Sequence, residues 1–153
     1  MIAYAQAQAK VQEQDRVHFY VANILRPLDF PNESFDFING RFLQSLMKTT
    51  SWVSLLEECF RLTKPGGIIR LTETGARAVL AAPNGVRINR LLNRAFWLAG
   101  MSFAEDDSSV SPLLKQFVGN AGYRVLKETP YLLNMSYGTA CYQPWLEGAR
   151  PTL

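Results

Sequence analysis

Apolar positions along the chain fall into two periods. From Thr50 to Thr63 they recur at helical spacing: Trp52, Leu55, Leu56, Cys59, Phe60 and Leu62 share one side, while Glu57, Glu58 and Arg61 take the other. This pattern predicts an amphipathic helix. Thr50 or Ser51 is placed to cap its start. Lys64-Pro65-Gly66-Gly67 stops it, because Pro cannot continue a helix and Gly accepts a left-handed turn. Ile68 to Thr72 then reads as a strand. Phe35 to Ile38 is a second strand, continuous rather than alternating, as expected for burial on both faces of a sheet. Val17 to Ala22 is a third candidate, and Tyr123–Leu126 and Tyr131–Leu133 are strand-like.

The remaining helices follow from local signals. Tyr4 to Glu13 is rich in Ala, Gln and Lys, which favour helix. Between Arg87 and Phe96 the arginines Arg87, Arg90 and Arg94 fall on one helical face, and Ile88, Leu91, Leu92, Ala95 and Phe96 supply the apolar side. Ser111 as N-cap and Pro112 at the first helical position open another helix. It would bury Leu113, Leu114, Phe117 and Val118 and end at Gly122. From Thr139 onward Pro144 and Gly148 weaken both a helix and a strand, and that segment stays open. Strands alternating with helices imply an α/β architecture with a mostly parallel sheet and right-handed crossovers.

Composition narrows the function classes. The 153 residues make one domain, with 48% apolar and 12% aromatic residues, enough for a hydrophobic core. A net charge of +3 is too weak to argue for nucleic acid without a basic patch. Cys59 and Cys141 are far apart, which predicts free thiols and a cytoplasmic location rather than a disulfide framework. No run of about 18 apolar residues exists for a membrane span. No Cys/His/carboxylate cluster suggests a metal, and the one histidine, His18, reads as a surface residue at a strand start.

Three segments together carry a family resemblance. They are Val17-His18-Phe19-Tyr20-Val21-Ala22-Asn23-Ile24, then Leu28-Asp29-Phe30-Pro31-Asn32-Glu33-Ser34-Phe35-Asp36-Phe37-Ile38, then Arg61-Leu62-Thr63-Lys64-Pro65-Gly66-Gly67-Ile68-Ile69. In order and separation they resemble the third strand, the approach to the fourth strand and the turn before the fifth strand of class I S-adenosylmethionine-dependent methyltransferases. Each is weak alone; Lys64-Pro65-Gly66-Gly67, for instance, is also a plain helix stop.

The resemblance implies a partial Rossmann-like methyltransferase fold lacking the family's first two strands. The family's glycine-rich cofactor loop has no counterpart here, since the one double glycine is Gly66-Gly67. It implies S-adenosylmethionine as cofactor and a small-molecule or lipid-like methyl acceptor. The expectation is a fragment inactive alone, completed as a homo-oligomer or by a complementing fragment; the alternative is a non-catalytic binding or assembly module. Residues 76–108 would form a substrate lid within the single domain of residues 1–153.

Site residues follow from position. The resemblance places Met1 near adenine, the Asn23 side chain on the adenine amino group and the Ile24 amide on a ring nitrogen; an Asx turn is the other reading of Asn23. Asn39, Gly40 and Arg41 follow the Phe35–Ile38 strand at its carboxyl end, where open α/β sheets bind ligands. There Gly40 would admit close backbone approach, and Arg41 would reach cofactor or substrate carboxylate or stay solvated. Glu73 and Thr74 would line the substrate pocket from the next strand. Arg87 and its neighbouring arginines read as a solvated basic face, as a site for an anionic substrate, or as a contact with an anionic membrane. Methyl transfer does not require a general base, so no catalytic residue is named.

Overall fold

A computed structural model describes residues 2–73, 83–106, 110–131, 133–134 and 136–149. Among these residues are five helices, α1 (Ile2–Val11), α2 (Trp52–Leu62), α3 (Pro83–Leu98), α4 (Ser111–Asn120) and α5 (Tyr142–Ala149), and two strands, β1 (Phe35–Arg41) and β2 (Thr63–Thr72). The strands are parallel and α2 connects them. The molecule is therefore α/β, with a small parallel sheet flanked by helices, a partial Rossmann-like fold.

The α2 helix forms as its periodicity requires. It buries Trp52, Leu55, Leu56 and Leu62. Trp52 and Leu55 join Met47 and Val110 in the core cluster, with Ile24, Leu43, Leu114 and Phe117 packed against it. Cys59 also leans on this cluster, and burial pushes its thiol up to about 11. Phe60 instead sits half-exposed and stacks edge-on with Tyr123, ring centroids 5.3 Å apart. The predicted side-chain cap does not form: a 3₁₀ turn at Thr49–Ser51 leads into α2, and neither it nor Ser51 makes a side-chain capping bond.

At the other end the helix stops at Leu62, and Thr63 is already strand. The register jumps from Phe35 opposite Thr63 to Phe37 opposite Ile68. Lys64-Pro65-Gly66-Gly67 thus loops out of the ladder as a bulge. Gly66 takes φ +80, which favours glycine. A Cβ on Gly67 would lie 2.7 Å from Thr63 Cγ2 and 2.9 Å from the Lys64 carbonyl.

Burial of β1 on both faces does not hold among the described residues. Directly opposite residues share a sheet face. The pair Phe37 and Ile68 is half-exposed, whereas Ile38 and Ile69 are partly buried. Val17–Ala22 and Tyr123–Leu126 form no strand, and Tyr131 and Leu133 lie outside any strand as well. Strand propensity alone does not make a strand; a ladder partner must be present.

The α4 helix begins at Ser111 with Val110 as its N-cap, one residue before the expected cap. Gly122, at φ +95, ends it as expected. Leu113, Leu114, Phe117 and Val118 are partly rather than fully buried. The open C-terminal segment resolves into α5.

Candidate functional site

Both strands run toward the same edge of the sheet, and their carboxyl ends meet there. Asn39 pairs with Arg70, Gly40 with Leu71 and Arg41 with Thr72. The Phe42 amide extends the ladder to the Thr72 carbonyl at 2.9 Å. Phe42 itself takes φ 55, an unfavourable backbone for a bulky residue. The chain then turns sharply into a 3₁₀ turn, Gln44–Leu46. The Arg41 guanidinium lies over the Phe42 ring, 5.3 Å from its centroid, a cation–π contact.

Glu73 closes this turn from the end of β2. Its carboxylate accepts the Leu43 amide at 2.8 Å and the Gln44 amide at 3.3 Å. Burial pushes the Glu73 carboxyl above its ordinary range, partly offset by those two amides. No ion pair to Glu73 is present among the described residues. Gln44 in turn accepts the Val110 amide at 3.0 Å through Oε1, which ties the turn to the start of α4.

Gly40 admits close approach, but of the protein's own side chains. A Cβ there would meet Leu43 Cδ1 at 2.9 Å and Leu71 Cδ2 at 3.0 Å. Asn23 makes the Asx turn: its Oδ1 accepts the Leu25 amide at 3.0 Å. Ile24 packs on the same core cluster as Leu43. It also lines a cavity of about 440 Å³ with Leu25, Arg26, Thr50, Ser54 and Glu58, at the start of α2.

The structure thus brings Asn39, Gly40, Arg41 and Glu73 to one edge, and links Ile24 to that edge through the shared core. Arg87 stands on the exposed side of α3. Met1 and Thr74 lie outside the described residues, as do 76–82 and 107–108 of the expected lid. Among the described residues no group of His, Cys, Asp and Glu is arranged for a metal, and no helix is long and apolar enough to cross a membrane.

Sequence reasoning missed the network that fixes the opposite edge. Arg61 donates to both Glu58 oxygens at 2.8 and 2.6 Å, to the Phe30 and Leu28 carbonyls at 2.9 and 3.1 Å, and to Asn32 Oδ1 at 2.7 Å. Glu58 also accepts the Leu28 amide at 2.7 Å. The Arg61 and Leu62 carbonyls receive the Glu33 and Ser34 amides, both at 2.9 Å. The readable signal was the i, i+3 pair Glu58 and Arg61 in the last turns before the glycines. This clamp explains why the Leu28–Ser34 and Arg61–Gly67 segments occur together: one is the other's binding site.

A family model described as a methyltransferase domain matches residues 1–67. No curated protein and no solved structure matches the chain.

Proposed function

We propose that the chain, whose residues 1–67 match a methyltransferase-domain family model, is a class I S-adenosylmethionine-dependent methyltransferase and carries the carboxyl-edge part of a methyl-transfer site for a small-molecule or lipid-like acceptor. The observation that carries this reading is the convergence of Asn39, Gly40, Arg41 and Glu73 at the carboxyl ends of two parallel strands. The strained backbone at Phe42 supports it, since such strain concentrates at functional turns. Glu73 fits the charge of the cofactor: a half-buried carboxylate without an ion pair among the described residues suits a cationic sulfonium.

When bound, the cofactor supplies an electrophilic methyl group; the chain's own residues hold and orient. In this reading Ile24 offers its amide, and Asn23 its side chain, to adenine. Asn39 and Arg41 face the methionine end, and Glu73 and Thr74 serve the acceptor. With one double glycine, placed in the β2 bulge, the 153 residues alone hold the cofactor weakly.

A non-catalytic binding module is the second reading. It is favoured by Asn23 Oδ1 being engaged by Leu25, and by the space beside Gly40 being filled by Leu43 and Leu71. Ultraviolet cross-linking of radiolabelled S-adenosylmethionine to the full chain separates the two. The expected result is weak, saturable labelling with adducts at Asn23–Ile24 or between Asn39 and Gln44. Adducts elsewhere, or none at millimolar cofactor, favour the second reading. A micromolar dissociation constant by calorimetry would support methyl transfer and refute weak binding.

A further inference from the structure

The orientation of α3 runs against its sequence pattern. Gly85, Asn89, Asn93 and Phe96, spaced at i, i+4, i+8 and i+11, form the side turned toward the protein. Asn93 is buried, and its side-chain amide donates to the Asp106 carbonyl at 3.0 Å. The opposite ridge, Arg87, Leu91, Arg94 and Leu98, is exposed along its length, with Leu91 at 61% and Leu98 at 69%. Ile88 and Leu92 flank it, both more than half exposed. On its other flank Arg90 lies beside Val86 and Trp97, both also exposed. A helix that met only water would turn its asparagines outward and its leucines inward.

We propose that this outward ridge docks the chain on an anionic lipid bilayer surface. Leucine and isoleucine alternating with arginine suit that boundary: apolar side chains enter the acyl region while guanidinium groups remain among the headgroup phosphates. An exposed tryptophan on the flank suits the same interface. Charge complementarity selects an anionic surface. The stretch from Thr74 to Ala104 contains no acidic residue, and the one ion pair to the ridge among the described residues, Arg94 to Glu105, is loose at 3.7 Å with both side chains exposed. A second copy of the chain is disfavoured, because a two-fold contact would set this arginine row near itself. The proposal is independent of methyl transfer.

Flotation of the full chain with vesicles tests it, comparing phosphatidylcholine alone with a mixture containing phosphatidylglycerol. The chain is expected to float with the anionic vesicles and to be released by high salt. R87Q/R90Q/R94Q should lower partitioning on the order of 100-fold, since each basic residue near such a surface contributes about a fivefold step. Leu91→Gln with Leu98→Gln should lower it roughly tenfold. Both variants change outward residues, and an unaltered circular dichroism spectrum confirms that they fold. Equal flotation with neutral vesicles, no flotation with either, or an unchanged arginine variant would overturn the proposal. So would capture of an acidic protein by this face without vesicle binding.

Discussion

Two glutamates hold loops at opposite ends of the sheet by the same means and in different electrostatic settings. Glu58, at the amino end, accepts the Leu28 amide and the Nε and Nη2 donors of Arg61. Arg61 holds its carboxyl below the usual range. Glu73, at the carboxyl end, accepts the Leu43 and Gln44 amides, and burial pushes it the other way. A charge with its partner beside it serves the fold. A half-buried charge held by amides, with no ion pair among the described residues, costs stability, and its retention at the edge where open α/β sheets bind ligands marks that edge as the working end.

The strongest way to break this contrast is Glu58→Ala. It leaves the Leu28 amide without its acceptor and removes two of the five hydrogen bonds that Arg61 donates, so a loss of about 2–3 kcal/mol is expected in denaturant unfolding. Gly67→Ala comes next, at roughly 1–3 kcal/mol. The added methyl meets Thr63 Cγ2 and two carbonyls, Lys64 and Asp36, at 3.0 Å or less, and backbone cannot step aside as a side chain can.

Glu73→Gln sharpens the contrast. The amide oxygen keeps the Leu43 bond, the NH2 displaces the oxygen that accepted Gln44 at 3.3 Å, and the half-buried charge is removed, so the net change in stability at neutral pH should stay within about 1 kcal/mol. Its signature is in the pH profile. A carboxyl with a raised folded value binds more protons folded than unfolded, so it loses stability as pH rises just above the ordinary carboxylate range. Glu58, lowered in the fold, contributes stability above that range and loses it as pH falls below. Unfolding followed against pH should show both limbs in the parent chain, loss of the upper limb in Glu73→Gln and flattening of the lower one in Glu58→Ala. The smallest effect belongs to Lys64→Ala. Lys64 reaches Asp36 at 2.8 Å, but Asp36 is fully in solvent, so no measurable change in the unfolding midpoint is expected.

What was legible in the sequence followed the same division. The α2 helix, its stop at Lys64-Pro65-Gly66-Gly67, and both paired strands could be read because their local patterns agree with their long-range contacts. Val17–Ala22 and Tyr123–Leu126 carry β-prone residues with no ladder to join, so propensity misled. The α3 helix was legible as an element, but its facing was not. Periodicity shows that a helix has two sides, and the burial of Asn93 with its contact to Asp106 shows which side turns inward. At the site, Asn39, Gly40 and Arg41 were placed at a strand end from position alone. The amide hook of Glu73 and the strained Phe42 depend on how the chain turns after Arg41, which no residue type announces.

The junction of α2 and β2 has a mechanical consequence. Helix and strand share no intervening residue, because Leu62 ends one and Thr63 begins the other. Thr63 is tied back by its amide and its hydroxyl, both to the Cys59 carbonyl, and the Tyr123 hydroxyl lies 2.9 Å from its Oγ1. Such a joint is an elbow, not a hinge. A tilt of α2 carries Thr63 with it, and the looped-out Lys64-Pro65-Gly66-Gly67 absorbs that motion before it reaches the paired run from Ile68 to Thr72.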